Sequence, residues 1–169
     1  MTPHKEPHEE GHKRPHDHAA GRALNTRENA TKAVATSRAC ISALLPGRVW
    51  SHRAPRGEFE IKACLMLDDK PVTVLHFNPE DGSLLPKGLH ALSAGKEEVV
   101  ATVEARLKSI PQEINVLDGA EFREPEFCWA VPLAHQGRIV GHIKVSADGA
   151  NVVADKKTVD DLARLEENR

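Results

Sequence analysis

Five of the ten histidines in this 169-residue chain, His4, His8, His12, His16 and His18, are crowded near its start. They fall in the tetrapeptides Pro-His-Lys-Glu, Pro-His-Glu-Glu, Gly-His-Lys-Arg and Pro-His-Asp-His, each opening on Pro or Gly with His second. Neutral imidazole is a good ligand for divalent transition metals, and a pliable chain can wrap several imidazoles around one ion. With no thiolate in the tract, Ni, Zn or Cu(II) is expected in preference to copper(I). The hold should weaken below about pH 6.5, where free imidazoles take up protons. An amino-terminal square-planar clamp is blocked, because it needs the amide nitrogen of residue 3 and Pro3 has no N–H to lose.

A second set, Arg48, Trp50, Arg53 and Arg56, reads as a basic loop over residues 48–57, first as a solvated loop with Trp50 tucked against the core and otherwise as a contact for an anion or an acidic partner. Nucleic acid is not expected there. Lys plus Arg number 23 against 25 Asp plus Glu, and four Phe, two Trp and no Tyr are too few for a stacking platform. Cys40, Cys64 and Cys128 form no C-x-x-C pair and are expected as free, buried thiols. The alternative joins Cys64 and Cys128 to His76 or His142 around zinc, without any local spacing to support it. His76, His90, His135 and His142 are scattered and read as structural. Neighbouring carboxylates such as Asp160-Asp161 do not face each other on a helix. No nucleophile elbow, phosphate-cradling glycine loop or H-E-x-x-H pattern occurs, so an enzyme is not expected.

These groups need elements to hold them. Residues 3–18 offer no apolar side chain to offset ordering entropy, so 1–24 is expected as a disordered His-rich arm and linker. A single domain then spans 25–169. Asn25-Thr26-Arg27-Glu28 matches a capping box, and Ala30, Ala33, Val34, Ile41 and Leu44 recur at helical spacing until Pro46-Gly47. Phe59–Leu67 alternates, Asp68-Asp69-Lys70-Pro71 makes a polar turn, and an apolar run follows from Val72 to Phe77. A helix after Ser93 carries Val99, Val103, Leu107 and Ile110 and should close at Pro111. Residues 113–117 form a short strand.

A longer hairpin rises from Glu126 to Ala134, turns at His135-Gln136-Gly137-Arg138 and returns from Ile139 to Ser146. Phe127, Trp129, Val131 and Leu133 should share one face and meet Ile139, Gly141, Ile143 and Val145. Thr158-Val159-Asp160-Asp161 caps a last helix with Val159, Leu162 and Leu165 on or near its inner stripe. The expected class is α+β, an antiparallel sheet of about five strands covered by about three helices in the order α-β-β-α-β-β-β-α.

Trp129-Ala130-Val131-Pro132-Leu133 followed by Gly137-Arg138-Ile139-Val140-Gly141 resembles the hairpin of GAF and Cache-type sensor domains, and the element order resembles roadblock-type regulatory modules. Both resemblances imply a sheet-based module that binds a small ligand or a protein. Two functions follow as expectations. One is a metal-binding accessory or storage protein whose arm gathers Ni, Zn or Cu ions while the body docks on a protein client. The other is a non-catalytic regulatory module with an incidental tail. No apolar stretch is long enough to span a membrane and no secretory signal pattern occurs, so a cytoplasmic location is expected. A homo-oligomer is left open.

Overall fold

The computed structural model describes residues 22–91 and 93–168. The expected arm, with all five of its histidines, therefore lies outside the described residues apart from 22–24, which form a helical turn. The first long helix, α1 (Arg27–Cys40), is capped by Thr26, whose side chain accepts the Asn29 N–H at 3.1 Å. The capping box expected at Asn25 is thus displaced by one residue. A 3-10 turn (Ile41–Ala43) leads into β1 (Leu45–Arg53).

This strand corrects the expected basic loop. Its register with β2 (Phe59–Leu67) runs from Leu45↔Met66 to Arg53↔Phe59 and is broken only between Pro46 and Val49. Pro46 is tolerated because β1 is an edge strand, where a missing donor faces no partner. Gly47 is required by close approach. A Cβ there would lie 2.5 Å from Cys64 Sγ and 2.8 Å from Met66 Cγ.

Asp68 and Asp69, both at positive φ, make the tight turn into β3 (Lys70–Phe77). The helix α2 (Val99–Leu107) ends before Pro111, which instead opens a short turn of helix, α3 (Ile110–Glu113). Proline suits a helix's first positions, where its missing N–H has no intrahelical acceptor. Then come β4 (Asn115–Val116), β5 (Glu121–Arg123), a 3-10 turn (Glu124–Glu126), β6 (Cys128–His135), β7 (Arg138–Ser146) and α4 (Lys156–Glu167).

The class is α+β and the pairing is antiparallel, but the details differ from the expected five strands and three helices. Seven strands occur among the described residues. They form a first sheet, β1-β2-β3, and a second in which β4, β5 and β7 all pair with β6. The two meet where β3 packs beside β7, and a Cβ on Gly141 would lie 3.0 Å from the Thr73 hydroxyl and 3.3 Å from the Val74 carbonyl.

The core lies between the inner faces of both sheets and the helices α1 and α2. It contains Phe59, Ile61, Leu65, Leu75, Phe77, Trp129, Leu133 and Ile143, all nearly inaccessible. Inward residues on β6 and β7 are as expected except at two points. Phe127 takes a left-handed conformation as the C-cap of the preceding 3-10 turn, so it stands before the strand and is exposed. A bulge between Leu133 and Ala134 pairs Ala134 with Ile139, which sends Ile139 outward and Val140 into the core. No described helix is long and apolar enough to cross a membrane.

Candidate functional site

The last helix is placed differently from the others, because it lies on the outer face of the first sheet, against β3. After β7 the chain is strapped back by backbone bonds from Val153 N to Lys144 O and from Asp155 N to Pro71 O, at 2.9 and 2.8 Å. Asp155 then caps α4, accepting from the Thr158 backbone N–H and hydroxyl. The cap at Asp155 replaces the one expected at Thr158. Lys144 anchors this point, with its Nζ 3.1 Å from Asp155 Oδ1 and 2.9 Å from Glu126 Oε2. Both carboxyls are held below their ordinary pKa. At Glu126 the Lys144 hydrogen bond does this; at Asp155 the bonds from Thr158 and Lys144 outweigh a larger, opposing effect of burial.

Beyond that anchor the helix is loosely seated. Its sole fully buried side chain is Thr158; Leu162 and Leu165, expected on or near the inner stripe, are half-buried, and Val159, expected with them, is exposed. An amphipathic helix ordinarily buries its apolar stripe. Here cavities open on both flanks instead. The helical repeat puts Lys157, Asp161 and Arg164 on one flank and Ala163 and Glu166 on the other. On the first flank lie a cavity of about 560 Å³, which reaches Glu126, Cys128 and Lys144, and one of about 400 Å³ against Trp50, His52 and Lys62. On the second flank, Leu162, Ala163 and Glu166 face Gly47, Arg48, Cys64 and Met66 across about 530 Å³.

The residues expected at an anion or partner contact divide between these places. Arg48 and Trp50 project from the outer face of β1 into the cavities beside α4, Arg48 half-buried and Trp50 only 7% exposed. Arg53 is five residues further along, roughly 16 Å at the strand rise. There it lies over the Phe59 ring, 5.4 Å from its centroid, and donates to the Gly57 and Ala94 carbonyls. Arg56 is exposed in the hairpin turn. The four do not converge.

Cys64 and Cys128 sit on different sheets, both as free thiols. Burial, the larger effect, pushes the Cys64 thiol up even though the Arg48 backbone N–H and guanidinium pull the other way. Burial and the neighbouring Glu126 push Cys128 up to about 11. Among the described residues no three His, Cys, Asp or Glu side chains come together to hold a metal ion. The zinc arrangement of Cys64 and Cys128 with a body histidine is therefore not formed. Glu60 is shared by His52 at 2.9 Å, His90 at 3.8 Å and Lys62 at 3.9 Å, a surface cluster of ion pairs.

No family model, curated protein or solved structure matches this chain. Its site is therefore known by its own chemistry. That chemistry is an apolar recess of thiol, thioether and aliphatic groups, with one guanidinium at its edge and a helix held at one end as its wall. Sequence reasoning passed over Cys64, Met66 and Glu166 in this role. The available signal was that Cys64 and Met66 fall on one face of an alternating strand while Leu162 and Glu166 lie one helical turn apart on one face of a helix.

Proposed function

We propose that the body is a non-catalytic binding module that takes a small ligand between α4 and the outer face of the first sheet. The observation that carries this reading is the half-buried stripe of α4 over a recess of about 530 Å³. That volume is within the range of small-molecule sites, which are mostly apolar with a few placed polar groups. The helix is fixed at its N-terminal end by Asp155 and Lys144, so its remaining turns are the part a ligand can order. A neutral, environment-sensitive naphthalene dye should bind saturably at one site per chain. Ala163→Trp, which fills the recess from the exposed flank, should weaken that binding more than tenfold and leave the circular dichroism unchanged. Non-saturable binding, or equal binding by the variant, sinks the reading.

A second reading, metal capture by the arm, is favoured by the crowding of His4, His8, His12, His16 and His18. Titration of nickel, zinc and copper(II) into the full chain at pH 7.5 should show binding that is lost when those five histidines are changed to glutamine. The same titration at pH 5.5 should be weaker, because imidazole charges near pH 6.5. Undiminished uptake by the glutamine variant would exclude the arm as the site.

A further inference from the structure

We infer that the ligand of the recess beside α4 is an apolar monocarboxylate, with its hydrocarbon body on Met66 and Leu162 and its carboxylate on Arg48; this rests on the binding-module reading above. The recess is apolar over most of its wall, and the Cys64 residue beneath it is fully buried. Arg48 is the one cationic side chain that lines it among the described residues. Arg48 as a residue is half-buried, and it has no carboxylate within ion-pair distance among the described residues.

A charge partly withdrawn from water without a partner is costly, and a planar guanidinium recovers most when it meets a carboxylate through two parallel hydrogen bonds. On the sheet side Arg48 acts on the Cys64 thiol. Burial keeps it protonated at neutral pH, so it joins the apolar floor and leaves Arg48 uncompensated. Glu166 stands on the opposite wall, exposed on the last turns of α4, and makes no ion pair with Arg48. It sets an acidic limit on that side of the recess, which disfavours a second negative charge on the ligand. One anionic group at the β1 end and an apolar remainder satisfy both walls.

Length should be read out as affinity. Each methylene that enters an apolar recess contributes about a fourfold gain in binding, until the recess is filled. Octanoate, decanoate and methyl decanoate would be titrated calorimetrically into the full chain, below their micellar concentrations. Decanoate should bind one per chain, more tightly than octanoate by about the square of that factor, and at least tenfold more tightly than its methyl ester. Arg48→Gln should bring decanoate down to the level of the ester and leave the ester where it was. If ester and acid bind alike, or if Arg48→Gln leaves decanoate unchanged, the carboxylate assignment is overturned while the recess remains a binding site. If the fatty ligands fail but the neutral naphthalene dye binds, the ligand class is wrong. If the dye fails too, the recess is not a binding site at all.

Discussion

Trp129→Ala should destabilise the domain by about 3–5 kcal/mol, among the largest effects of any single truncation in the core. The indole is 3% exposed and lies between Phe122 on β5 and Val145 on β7, its cross-strand partners. Its ring meets Phe122 edge-to-face with centroids 5.0 Å apart, and its Nε1 donates to the Ala147 carbonyl at 2.9 Å. Removing it loses transfer free energy and an aromatic pair, and it leaves a buried carbonyl unpaired. A domain of this size is typically stable by only about 5–15 kcal/mol, so the loss is a large fraction of the whole. At a urea slope of about 1–3 kcal/mol per molar, the midpoint should fall by roughly 1–5 M. Trp129→Phe, which keeps a ring and loses the hydrogen bond, should fall by a smaller amount. Equal midpoints for wild type and the alanine variant would mean that this face of the hairpin is not core.

The same hairpin shows how far alternation carries. Trp129, Val131, Leu133, Ile143 and Val145 were assignable to one face because a strand repeats every two residues and burial of one face fixes the parity. Parity fails where one residue is inserted. The bulge at Ala134 exchanges Ile139 for Val140, and nothing in the composition of that stretch marks it. The strand β1 was illegible for a different reason. Its outer face carries Arg48, Trp50 and His52, so a strand covered by a helix on that side reads like a polar loop. The recess was hidden because it joins residues 47–66 to residues 162–166, and no local pattern records that the two meet. Legibility thus followed separation along the chain: hairpins and caps were near their mark, and the contact between distant faces was not.

Acid should destabilise the fold well above the pH at which carboxylates titrate. His76 and His142 are both half-buried on the outer faces of the sheets, and each is held down to about 4 from the ordinary 6.5. Burial is the largest cause in both. The Lys62 charge adds to it at His76; at His142 the charges of Lys87, Arg123 and Lys144 do so, with Lys87 Nζ 2.6 Å from the imidazole Nδ1. In the unfolded chain both rings take a proton near pH 6.5, so between there and about 4 the unfolded state binds more protons than the folded one. Stability contributed by the two neutral rings is therefore complete above pH 6.5 and is lost as pH falls toward 4. Discounted for the solvent that still reaches each ring, the loss by pH 4.5 is about 1–1.5 kcal/mol per histidine, or about 2–3 kcal/mol together. Asp155 and Glu126, held below their ordinary values, add a loss of the same sign at lower pH. Unfolding free energies from urea titrations at pH 7 and pH 4.5 should differ by that amount in the wild type and by much less in a His76→Gln, His142→Gln double variant. If the double variant falls in parallel with the wild type, the two imidazoles are not the source of the acid sensitivity.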